Sequence, residues 1–87
     1  MTHTERKVEW HFTVLKQQLA ERALSEAAVD LNYLYRRDIE AWALLKGSLD
    51  QRDLRPQQRL IVDNLFAVST AGTLDELAER SRELLQW

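Results

Sequence analysis

The sequence predicts an all-α fold, a compact antiparallel bundle of four helical segments, on three observations. Apolar residues recur at three- and four-residue spacing along most of the chain. Two glycines and one proline leave too few tight turns for a hairpin-rich β protein. Ser or Thr followed three residues later by Glu or Gln, the spacing of a capping box, stands near several of these patterns.

The first segment is expected over about residues 4–23. Val8, Phe12, Leu15, Leu19 and Ala23 fall on one stripe, and Thr2 with Glu5 has capping-box spacing. Val8, Trp10, Phe12 and Val14 also alternate as a strand would, so residues 8–14 have two readings. The helical stripe is longer and continues through the good helix formers from Lys16 to Ala23. In a helix, Trp10 and Val14 project from the opposite side.

Leu24-Ser25 reads as a junction. Ser25 would cap the second segment, about 25–46, with Leu24 and Val29 as a hydrophobic staple. Its core stripe is Ala27, Leu31, Leu34, Tyr35, Trp42 and Leu45, widened by Ala28 and Ile39. Gly47 suits a left-handed position after it. Ser48 to Arg55 forms the main connection, with Ser48 and Gln51 spaced for a short helical turn.

Pro56 belongs in the first turn of the third segment, about 54–71, where its missing N–H costs nothing. Leu60, Ile61, Asn64, Leu65, Ala67, Val68 and Ala71 fill one broad side of it, and Val62 and Phe66 project from the other. A helix apolar on two sides is either central in its bundle or half-buried in a partner. After Gly72, Thr73-Leu74-Asp75-Glu76 opens the fourth segment, about 73–86. Leu74, Leu77, Ala78, Ser81, Leu84 and Leu85 are expected inward, and the chain closes on Trp87.

These 87 residues (1–87) fit one helical domain near the lower size limit for folding on a single core. With 45% hydrophobic residues and no cysteine, packing or a partner subunit must stabilise it without disulfide or thiolate-metal support. The net charge of -2 gives no global attraction to nucleic acid or anionic lipid. No apolar run approaches the roughly 20 residues of a membrane span, and residues 1–7 lack the apolar core of a secretory signal. A cytoplasmic protein without a membrane segment is the expectation.

Chemistry is sparse. His3 and His11 are the only histidines, and neither has carboxylates at the Glu-x-x-His spacing of bundle metal sites. There is no Gly-rich phosphate loop and no cysteine nucleophile. The pairs Glu76/Glu79 and Glu79/Glu83 stand beside Arg80 and Arg82 as ordinary solvated charges. The expectation is therefore no catalytic residue, no metal, no cofactor and no enzyme activity. Asp38 falls within the stripe of the second segment, where it needs a polar partner or is left open for a partner's basic group. Asn64 occupies a similar place in the third.

Binding residues are sought among side chains outside the stripes. Tyr33, Arg36, Arg37, Glu40 and Leu44 cluster on the outer side of the second segment, with Arg36 and Glu40 at salt-bridge spacing. Trp10, Val14, Val62 and Phe66 are either second faces of one internal core or a ridge for a dimer or partner. Arg36, Arg37, Arg52, Arg55 and Arg59 concentrate positive charge in mid-chain. Residues 73–80 resemble the opening helix of a helix-turn-helix, but no recognition helix is expected after them and the last segment is acidic, so nucleic acid is not expected as a partner.

Leu44-Leu45, Ser48-Leu49-Asp50, Leu54, Leu60, Ala67-Val68 and Asp75-Glu76-Leu77 give residues 45–85 a loose resemblance to small helical immunity proteins that neutralise type VI secretion effectors in bacteria. The resemblance covers about half the chain and carries over no individual binding residue. It implies a protein that binds one toxin and blocks it without chemistry. The expectation is thus a small non-enzymatic binding module, an inhibitor or immunity-type protein acting on a toxin or regulatory target. The alternatives are a structural homodimer and a phage- or plasmid-type regulator docking on a host protein.

Overall fold

A computed structural model describes residues 2–85. It contains α1 (His3–Ala20), α2 (Leu24–Arg37), α3 (Ile39–Gly47), a 3-10 turn (Leu49–Gln51), α4 (Pro56–Ser69) and α5 (Leu74–Leu84). Among the described residues there is no strand, so residues 8–14 are helical. The expected extension of the last segment to residue 86, and Trp87, lie outside the described residues.

The described residues form five helices where four segments were expected, because Asp38 divides the second. At φ -149° and ψ 75° it leaves helical geometry, and its side chain accepts a hydrogen bond from the Ala41 N–H at 3.2 Å. Asp38 therefore caps α3 and is no stripe residue. Lys7 of α1 donates to its other carboxylate oxygen at 2.6 Å.

The turn between α1 and α2 also differs from expectation. Arg22 adopts φ 58°, the left-handed region, with no glycine present to take it. Ala23 N–H bonds the Gln18 carbonyl at 2.9 Å and Arg22 N–H bonds that of Leu19 at 3.2 Å. This is the Schellman pattern, which satisfies the carbonyls at the end of α1. Helix α2 then starts at Leu24 without a side-chain cap, so Ser25 lies inside the helix. Gly47 likewise ends α3 in ordinary geometry, with no positive φ.

One core gathers the buried apolar side chains of all five helices. Helix α1 contributes the expected stripe of Val8, Phe12, Leu15 and Leu19. Helix α4 is turned from the expected phase. Val62, Leu65, Phe66, Val68 and Ser69 are buried, whereas Leu60 is 65% exposed. Val62 and Phe66 therefore belong to the internal core, and a partner ridge that includes them is corrected. Ile39 and Leu74, both expected inward, are exposed, and α5 fully buries only Leu77.

Two buried polar side chains tie α2, α3 and α4 together. Asn32 Nδ2 donates to the carbonyl of Ser69, the last residue of α4, at 2.8 Å and to that of Ala71 just past it at 3.0 Å. Trp42 Nε1 donates to Ser69 Oγ at 2.9 Å, which itself donates to the Phe66 carbonyl at 2.7 Å. Trp42 also meets Tyr35 edge-to-face at 4.7 Å and packs on Phe66 at 5.6 Å.

The connection from Ser48 to Arg55 is held by arginines. Arg59 donates to the carbonyls of Leu49, Asp50 and Arg52, and Arg52 lies over the Phe12 ring, pairs with Glu9 and donates to Ser48 Oγ. Two of the five mid-chain arginines are thus engaged internally.

Asn32→Ala leaves the Ser69 and Ala71 carbonyls buried without their donor. A loss of about 2–3 kcal/mol is expected, read as a melting temperature lower by on the order of 10 °C. Arg22→Gly removes the left-handed strain at a solvent-exposed site. A gain of about 0.5–1 kcal/mol is expected in urea unfolding, with the helix content unchanged by circular dichroism.

Candidate functional site

Helix periodicity sets Val29, Tyr33 and Arg37 one turn apart on α2, with Arg36 beside them. All four are exposed, Tyr33 at 59% and Val29 at 50%. The Arg37 guanidinium stacks over the Tyr33 ring at 5.0 Å, which holds both side chains in one place. These residues and Asn32 line a recess of about 330 Å³ closed on the other side by Leu74 of α5.

That recess shares Val29 and Leu74 with a larger groove of about 470 Å³ between α2 and α5. Leu24, Ser25, Leu77, Ala78, Ser81, Arg82 and Leu85 complete its lining. Leu24, Ser25 and Leu85 line a further recess with Arg22, Ala23 and Glu26 at one end, and Val29 and Leu74 line the recess of Tyr33, Arg36 and Arg37 at the other. The groove has an apolar floor edged by Arg36, Arg37 and Arg82, and Glu26 and Asp30 line recesses that adjoin it at Ser25 and Val29.

The expected five-residue surface divides at Asp38. Tyr33, Arg36 and Arg37 stay together on α2, while Glu40 and Leu44 pass to α3. Both remain exposed, but Leu44 opens onto a different recess, with Glu5, Val8, Glu9, Ser48, Gln51 and Arg52. Arg36 and Glu40 form no ion pair. The break between two separate helices removes the i,i+4 relation on which that pair rested.

Trp10 is 62% exposed and its ring meets His11 edge-to-face at 4.9 Å, whereas Val14 is half-buried. Only Trp10 of the four ridge residues presents a large free surface. Val29, Leu74 and Leu85 were missed as site residues because helical spacing assigned them to a staple or an inward stripe. The available signal was quantity: α5 carries more apolar side chains than one short helix can bury.

A charged cluster joins α1 to the α2–α3 break. Lys7 holds the Asp38 carboxyl below the ordinary carboxylate range, aided by the Ala41 N–H. His11 is lowered from its ordinary value of 6.5, chiefly by burial and then by the Lys7 charge. Among the described residues, no three His, Cys, Asp or Glu side chains are placed to hold a metal ion, and no helix is long and apolar enough to cross a membrane. Asn64 is half-buried and donates to the Leu84 carbonyl at 3.2 Å, tying α4 to the end of α5.

Comparison of the chain with known protein families, with curated proteins and with solved structures finds no match.

Both titrating groups have folded values below their unfolded ones, so each contributes stability that is lost on acidification. The His11 contribution declines as pH falls below 6.5, and that of Asp38 declines further down, below the ordinary Asp value of 3.8. Thermal melts of His11→Gln are expected to lose the upper step and keep the lower one. Unchanged pH dependence in this variant would remove His11 from the account.

Proposed function

We propose that this chain is a small non-enzymatic protein-binding module, a stoichiometric inhibitor or immunity-type protein that occupies a surface of a toxin or regulatory target. The observation that carries the reading is the exposed, stacked Tyr33/Arg37 pair at the mouth of an apolar groove. Tyrosine and arginine dominate interface hot spots because each combines a broad apolar face with directional hydrogen bonding. Cation–π stacking limits the side-chain entropy lost when a partner covers them. The resemblance of residues 45–85 to immunity proteins points to the same class.

A homodimer is the second reading, supported by the exposed indole of Trp10. Light scattering separates it directly: a strict monomer at high micromolar concentration removes it.

The test of the main reading pairs stability with binding. Tyr33→Ala/Arg37→Ala is expected to melt within about 4 °C of the wild type, as surface changes of about 0.5 kcal/mol do. It is also expected to lose a partner recovered with the wild type from host lysate and reconstituted as a one-to-one complex from purified components. Retention of that partner by the double variant, or collapse of its fold, rejects the face.

A further inference from the structure

We infer that the α2–α3 corner is a hinge through which two copies of this chain exchange halves, α1–α2 of each packing on α3–α5 of the other. The inference goes beyond the partner-binding reading and rests on separate residues. Local chemistry favours one helix across the corner. No glycine or proline stands between Leu24 and Lys46. Leu24, Ala27, Leu31, Leu34, Ala41 and Leu45 keep alternating spacings of three and four residues, with Asp38 at the one position between Leu34 and Ala41. All but Leu24 are buried, and Leu24 packs against the same core. The apolar face therefore runs through the break in register.

The break forgoes backbone bonds. A continuous helix would pair the Ile39, Glu40 and Ala41 N–H groups with the Tyr35, Arg36 and Arg37 carbonyls. None of these three bonds forms, although on either side Asp38 N–H reaches the Leu34 carbonyl at 2.7 Å and Trp42 N–H reaches that of Asp38 at 3.1 Å. Asp38 Oδ1 replaces one of them, at the Ala41 N–H. Lys7 of α1 donates to the other carboxylate oxygen at 2.6 Å. One carboxylate thus caps α3 and latches the corner to α1.

A single copy cannot straighten cheaply. Straightening would pull α1–α2 off α3–α5 and open the packing of α1 on α3 and of α2 on α4 and α5. Core side chains of both halves would meet water, and the Ser69 and Ala71 carbonyls would lose Asn32. A second copy removes that cost, because its own α1–α2 half presents the same surfaces. Ser69 would keep Trp42 from its own chain and receive Asn32 from the second copy. The exchange therefore conserves the core, gains the three helical bonds and gives up the Asp38 cap.

Wild type and Asp38→Ala are refolded from urea at high protein concentration and separated by size exclusion with light scattering. Alanine removes the cap and the latch and favours the helix. A dimer is expected, with an association constant at least about tenfold above that of wild type. In that dimer the Ile39 and Glu40 amides gain protection from hydrogen exchange. Adding Ile39→Pro is expected to return a monomer, since proline suits the first position of α3 but interrupts a continuous helix. Ile39 is exposed, so this change leaves the core intact.

A monomeric Asp38→Ala overturns the inference. So does a dimer that survives Ile39→Pro, which would be two closed copies side by side, or one whose Ile39 and Glu40 amides stay unprotected. Lys7→Met removes the latch and keeps the cap, and it carries the same expectation where Asp38→Ala does not fold. A monomer there rejects the exchange as well.

Discussion

Helices α2 and α3 converge on the last turn of α4, where buried carbonyls and a buried hydroxyl must all find partners. Asn32 from α2 supplies two N–H donors to the Ser69 and Ala71 carbonyls, and Trp42 from α3 supplies one to the Ser69 hydroxyl. Hydrophobic contact alone would allow these helices to slide or rotate by a residue with modest loss. Directional bonds in a low-dielectric interior do not, because a slip leaves polar groups unpaired. The angular setting of α4, with Val62 and Phe66 inward and Leu60 outward, follows from where Ser69 must sit.

This explains what could be read from residue order and what could not. The α1 stripe, Pro56 at the start of α4 and the Thr73 cap of α5 each depend on local chemistry, and each appears where spacing places it. The phase of α4 does not depend on local chemistry. Apolar residues lie all around that helix, so no stripe selects an inner face; Asn32, 37 residues away from Ser69, selects it. Asp38 misled for a related reason. Helical spacing continues smoothly across it, and only the sequence Arg36-Arg37-Asp38, a basic final turn followed by a good capping residue, signals the break.

The candidate surface was legible in part. Tyr33, Arg36 and Arg37 were recognisable because polar and aromatic residues outside a stripe stand out. The opposite wall of the groove was hidden by the same logic, since Leu74 and Leu85 resemble core residues in every local respect. Whether a leucine on an amphipathic helix is covered depends on how much surface its neighbours offer. In a small domain that area is limited. The arginines divide in the same way: Arg52 and Arg59 hold the connection before α4, while Arg36, Arg37 and Arg82 border the groove.

The single fully buried side chain of α5 has a consequence for how this molecule opens. A helix anchored by Leu77, with its other apolar residues only partly covered, has the least burial to lose by detaching. In hydrogen exchange its amides would belong to the least protected cooperative unit, while those around Ser69 would exchange only on global unfolding. The outer wall of the groove is then the least deeply anchored part of the fold. Anything that binds between α2 and α5 raises the protection of both together, and makes that least anchored part the one that responds to a ligand.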